Sequence, residues 1–307
     1  MKRKGAERVE RMATERDSFA RAVNFFLRNE QKEEAIEMAT NVWRLWVLAR
    51  DYEGGRKFLA PVIAKHDGAA AKTLALVHYG DSLLAFRLGD VPASRKASMA
   101  ALVAAKSARD SKALTLANLA LARTAFEDGD YRQSSSRSRE ARRLARGIGP
   151  EYEQAPLFME ASSRRMLGDY DGAASLFRRS VELNRRIEDS GMVMAELNNL
   201  CFVEIHRDRA DEAEAAFAES ERMSPTPPDD LYGQGMASLI RGMVAYRRGE
   251  IKRAKSLLTR ARTNFKRSGA QLGKEEESEL DWLTQALKRQ PSGPHSSRGA
   301  VMGAKGR

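Results

Sequence analysis

Side chains able to do chemistry are few and scattered in this 307-residue chain. Its four histidines, His66, His78, His206 and His295, stand far apart, with no HExxH or CxxC spacing, so neighbours in sequence cannot assemble a zinc site. Cys201 is the single cysteine; it excludes an intramolecular disulfide and reads as a buried packing thiol rather than a nucleophile. The carboxylate runs Asp229-Asp230 and Glu275-Glu276-Glu277 suit helix N-termini, where the backbone dipole favours negative charge, better than acid/base catalysis. Gly233-Gln234-Gly235 follows no strand, as a dinucleotide-binding turn must, and no GxxxxGK[ST] loop exists to cradle phosphates. No enzyme, metal or cofactor is expected. Binding surfaces, not reactive centres, are what these residues offer.

The elements that present those surfaces follow from composition and period. Hydrophobic residues make up 42%, aromatics 7% and charged residues 31%, a profile that fits long alanine-rich helices better than a sheet of Val, Ile and aromatics. Lys and Arg number 53 against 42 Asp and Glu, a net charge of +11 that suits anionic partners. The opening MKRKGAERVERMATERD starts positive, but no apolar stretch follows, and Val42 to Ala49 is broken by Arg44. A soluble cytoplasmic protein without a membrane partner is therefore expected. Residues 291–307 are rich in Gly, Ser and Pro and read as a disordered tail, 1–14 as a charged segment, and 15–290 as the folded region.

That region repeats. A short turn element recurs, ending at Tyr52, Val91, Tyr131, Tyr170, Ala210 and Ile251, with separations of 39, 40, 39, 40 and 41 residues. Three residues after each stand Gly55, Ser94, Ser134, Ala173, Ala213 and Ala254; ten after stand Val62, Ala101, Ala141, Ser180, Ser220 and Ala261. Nine before stand Trp43, Ser82, Ala122, Ala161, Cys201 and Gly242. Small residues in fixed phase let helix backbones cross closely. Each unit reads as two helices around a tight turn; in the fourth, Ala155 to Leu167 and Tyr170 to Ile187 flank Gly168-Asp169. A lone pair cannot bury its apolar stripe, so pairs stack into an all-α, right-handed α-solenoid of about six hairpins. KEEESELDWLTQALKRQ, from Lys274, reads as a capping helix, and the large Trp43 as a seal on the N-terminal edge.

The registers, the Gly-Asp-Tyr turn, and Phe177 and Phe217 four residues after Ala173 and Ala213 resemble the tetratricopeptide repeat (TPR). The period near forty implies helices longer than the 34-residue form of that repeat, a bacterial regulatory variant. The segment from Glu15 to Ile63 resembles the entry into the repeat domain of bacterial signal-transduction ATPases and related transcription regulators. Without a phosphate-binding loop, the resemblance implies the sensor or partner-binding half, not the ATPase.

In a solenoid of this kind the first helices line the concave face. The register places Arg44, Tyr79, Arg87, Arg123, Phe126, Phe158, Arg165, Asn198, Phe202, His206, Tyr246 and Arg247 there. Alone, each arginine reads as a solvated helix residue and each aromatic as packing; together they describe a basic, partly aromatic groove. Guanidinium forks would hold carboxylates, and Asn198 offers donor and acceptor to an extended backbone. The expected function is a non-enzymatic scaffold for a protein or peptide, acidic in character. A regulatory sensor, responsive to a small molecule or a signal peptide and acting on a transcription factor or kinase, is the alternative. A second alternative is nucleic-acid binding by Arg139, Arg142, Arg143 and Arg146, in the run from Tyr131 to Gly147, which otherwise reads as an exposed second helix.

Overall fold

A computed structural model describes residues 14–65 and 68–289. The segment 1–14, apart from its last residue, the tail 291–307, His66 and His295 lie outside the described residues. Every regular element among the described residues is helical. In chain order they are α1 (Arg16–Arg28), α2 (Lys32–Val42), α3 (Arg44–Leu48), α4 (Tyr52–Ala64), α5 (Ala71–Arg87), α6 (Val91–Ala108), α7 (Ser111–Glu127) and α8 (Tyr131–Ala145). There follow α9 (Pro150–Met166), α10 (Tyr170–Arg186), α11 (Ser190–His206), α12 (Ala210–Met223), α13 (Leu231–Arg247), α14 (Ile251–Ser268) and α15 (Lys274–Arg289). No described helix is long and apolar enough to cross a membrane.

The turns come from one backbone position. Arg50, Gly89, Gly129, Gly168, Asp208 and Gly249, each two residues before the repeat mark, all adopt positive φ, between 55° and 82°. Glycine occupies that conformation without the clash a Cβ brings, which explains four of the six. The next residue caps the following helix: Asp51, Asp90, Asp130 and Asp169 each accept a hydrogen bond from the backbone N–H three residues on, at 2.9–3.0 Å. Asp110, Asp189 and Asp230 do the same for α7, α11 and α13.

All eighteen register positions are buried, as their phase requires. At Gly55 a Cβ would lie 2.8 Å from the Cβ of Trp46, so the crossing there tolerates no side chain. Ser82 and Ser98 bring their hydroxyls to 2.6 Å, and Ser163 donates to Ser134 at 2.8 Å, which satisfies polar groups at close contacts. The solenoid of stacked hairpins is thereby established as the fold.

The chain divides into two compact units, one ending at Arg207 and one beginning at Asp208. In the first, α1 buries Val23 and Leu27, and the stacked hairpins run from α2 to α10, followed by α11. Its first repeat departs from the rest, because the opening helix breaks at Trp43 into α2 and α3. Trp43 is 1% exposed and its ring lies against Gly80 and edge-on to Tyr79 at 6.0 Å, so it fills the space between hairpins rather than sealing an outer edge. The fourth first helix starts at Pro150, ahead of the expected Ala155, since proline needs no hydrogen-bonded N–H in a first turn. In the second unit, α13 and α14 form a hairpin, and α15 covers it with Leu283 and Leu287, Leu283 closing over Gly242.

Candidate functional site

The first-helix face of the N-terminal unit divides into two clusters. In one, the guanidinium of Arg44 lies 4.7 Å over the ring of Trp43 and is exposed. Trp43 meets Tyr79 edge-on, and Arg123 donates from Nη1 to the Tyr79 hydroxyl at 3.4 Å. Tyr79 is buried and Arg123 half-buried, so three successive hairpins hold one cation–aromatic ladder. Arg87 is exposed near the end of α5. Phe126 turns inward, edge-on to Tyr131 at 5.1 Å, and serves packing.

In the second cluster Arg165 is only 4% exposed. Its Nη1 donates to Asn199 Oδ1 at 2.5 Å, and its guanidinium lies 5.2 Å over Phe202. Burial of that cation is tolerable because an amide oxygen and an aromatic face replace water. Asn198, one turn before Phe202 on α11, is half-buried, and its Oδ1 is buried without a hydrogen-bond partner. Phe158 meets Phe177 edge-on at 6.3 Å. His206 stacks flat on Tyr170, centroids 4.5 Å apart and planes within 7°.

Tyr246 and Arg247 belong to the C-terminal unit. There Tyr246 packs edge-on to Trp282 at 5.6 Å, while Arg247 lies 4.9 Å over the same ring and pairs with Asp208 at 3.5 Å. The projected residues therefore form a chain of local contacts rather than a row of free side chains. Arg44 and Arg87 stay exposed, Arg123 is half open, and Arg165 is a buried support.

Arg139, Arg142 and Arg143 of α8, and Arg146 just past its end, are paired within the fold. Arg142 and Arg139 converge on Glu160 of α9, at 2.7 and 3.4 Å, and Arg164 joins them at 3.1 Å. Arg143 pairs with Glu140 at 2.7 Å and Arg146 with Glu153 at 3.8 Å. Glu160 is fully buried, as is Glu204, which takes Arg178 and Arg207. Asn199, Glu160 and Glu204 escape a reading of sequence alone. Their one available signal is position: Glu160 stands ten residues before the repeat mark, where Asp81 stands two hairpins earlier and binds Arg56 of α4 at 2.9 Å.

Cys201 is fully buried, donates to the Leu197 carbonyl at 3.1 Å, and has its thiol pushed up by burial, which suits packing. Among the described residues no three His, Cys, Asp or Glu side chains gather as a metal site would need.

No protein-family model matches the chain, and no curated protein matches its sequence. Solved structures do. BtubC from P. vanneervenii is similar over 72% of this chain and 94% of its own, with TM-score 0.60 and 12% identity. A Rap protein complexed with competence and sporulation factor matches over 82% of this chain and 74% of its own, with TM-score 0.56 and 11% identity. The quorum sensor NprR from B. thuringiensis, in its apo form, matches over 91% and 80%, with TM-score 0.56 and 14% identity. The fold is that of a TPR-like helical repeat. At such identities the likeness extends to architecture and no further, and TPR-like here describes stacked hairpins with a forty-residue period.

Proposed function

We propose that this TPR-like chain is a non-enzymatic scaffold that binds a protein or peptide segment along its first helices, with acidic groups on the ligand meeting Arg44, Arg87 and Arg123. The observation that carries the reading is the Arg44–Trp43–Tyr79–Arg123 ladder, which spans three hairpins and keeps cationic heads at or near the surface. The buried Trp43 and Tyr79 rings hold the arginines in place, and the guanidinium groups supply forked donors for carboxylates. Asn198, whose buried Oδ1 lacks a donor, would take a backbone N–H of an extended ligand.

A second reading makes the scaffold a peptide-responsive regulator acting on a transcription factor or kinase. It is favoured by the likeness to a Rap protein bound to competence and sporulation factor and to the quorum sensor NprR. On that reading, ligand binding shifts the population of repeat conformations.

An array of acidic and neutral peptides probed with the labelled full chain tests both. Hits that are acidic, and that Arg44→Glu with Arg87→Glu weakens at least tenfold, are expected. Hits indifferent to that double reversal would remove the face from consideration. Ligand-induced compaction in solution scattering would select the regulator over the passive scaffold.

A further inference from the structure

The densest run of exposed cations among the described residues lies on α14, in the C-terminal unit. Its 18 residues carry seven cations and no carboxylate, and all seven are exposed. Ala254, Leu258, Ala261 and Phe265 hold the opposite face in the core. At 3.6 residues per turn Ser256, Thr259 and Thr263 fall on one line along the outer surface. Lys255, Arg262 and Lys266 flank that line on one side. Arg253, Arg260 and Arg267, spaced seven residues apart, flank it on the other, and Lys252 stands at its head.

Few of these charges are compensated. Arg253 pairs with Glu250 at 2.8 Å, and Arg262 donates to the Thr284 hydroxyl at 2.7 Å. The Thr259 and Thr263 hydroxyls donate to the carbonyls of Lys255 and Thr259 on their own helix, which holds these short side chains close to it between the two rows of cations. By contrast, the four arginines singled out in the run from Tyr131 to Gly147 all meet carboxylates.

We propose that α14 is a docking helix for a nucleic-acid duplex, holding its phosphate backbone without reading bases. Three features select this ligand. A protein partner needs aromatic or aliphatic anchors at the centre of its contact, and the outer face of α14 has none. A helix lying on a membrane inserts Trp, Phe or Leu, and these too are missing from that face. A phosphate backbone needs only cations at intervals. From Lys252 to Arg267 the stripe extends about 22 Å at 1.5 Å per residue. It would run beside on the order of a dozen duplex phosphates, at one charge per ~1.7 Å of axis. The surface uses none of the residues assigned to peptide binding.

The test is fluorescence anisotropy of a labelled 20-base-pair duplex with the full chain, across a KCl series from about 50 to 200 mM. Five cations with no partner of their own, Lys252, Lys255, Arg260, Lys266 and Arg267, predict a slope of log K against log salt near about −4.5. Changing the five to Gln should weaken binding at 50 mM KCl at least tenfold and flatten the slope, with helicity by circular dichroism retained. Arg132→Gln on α8, with Arg146→Gln just past its end, should bind as the wild type does. Should the fivefold variant lose helicity, Lys255→Glu and Arg260→Glu, made singly, each carry the expectation of a several-fold loss. No binding at 50 mM KCl, or full binding by the substituted helix, overturns the proposal. Tighter binding to anionic vesicles or to polyglutamate than to the duplex, at equal salt, overturns it in favour of a membrane or an acidic protein.

Discussion

Glu196 of α11 takes a 2.6 Å hydrogen bond from the Ser180 hydroxyl of α10 at one carboxylate oxygen, while its other oxygen is buried without any partner. Burial pushes its carboxyl up to about 8, against the opposing effect of the Ser180 hydrogen bond. The folded chain thus keeps a proton that the unfolded chain gives up in the ordinary carboxylate range. Stability should be greatest at acid-side pH, fall as pH rises from about 4.5 through about 8, and level off above. Thermal melts between pH 5 and 9 read this directly. Glu196→Gln should flatten the profile and stabilise the protein at pH 9 by on the order of a few kcal/mol. Parallel profiles for the two proteins would show that Glu196 is already ionised when folded.

Two turns lack the residue their backbone wants. Arg50 holds φ at 55° where four sister turns use glycine, and Arg209 stands where four others place a capping aspartate and provides no side-chain cap. Arg50→Gly should stabilise the fold by about 1 kcal/mol, the cost of a Cβ in the left-handed region. Arg209→Asp should add about 1 kcal/mol by satisfying an N-terminal N–H of α12. Urea midpoints measure both, and a lower midpoint for Arg50→Gly would mean that its side chain has a stabilising role.

Glu160 gathers three arginines while fully buried. Replacing it with Gln leaves Arg142, 14% exposed, beside a neutral amide. Loss of about 3–5 kcal/mol is expected for a buried pair stripped of one partner. Glu140→Gln removes a surface pair and should cost under about 1 kcal/mol. Equal losses for the two would refute the distinction.

Leu283, fully buried, carries the cap of the C-terminal unit. Leu283→Ala should destabilise by about 2–5 kcal/mol. Hydrogen exchange should rise first in α13 to α15. Uniform loss of protection along the whole chain would contradict a local capping role.

The hairpins were legible because their signal is periodic: mostly small residues at three phases point to close crossings, and all eighteen positions are buried, the large Trp43 included. The first-helix face was legible in membership but not in state. Register places Arg165 beside Arg123, yet nothing in it tells that Arg165 is buried against Asn199 and Phe202 while Arg44 stays exposed. Charge was the hardest to read. The run Tyr131 to Gly147 stands out for arginine, but its partners Glu160 and Glu153 lie on the next helix, at distances in sequence that no local window joins. Lys252 to Arg267 look equally ordinary until the structure shows five of them unpaired along one side of α14.

The shared phase of the left-handed turn and its three buried positions gives the blocks after the first one matching joins. Excising residues 91–130, from one mark to just before the next, would set Asp90 directly ahead of Tyr131, an aspartate–tyrosine junction the chain already uses at Asp130 and Asp169. Length in such a fold can therefore grow or shrink by whole cassettes without a new kind of junction.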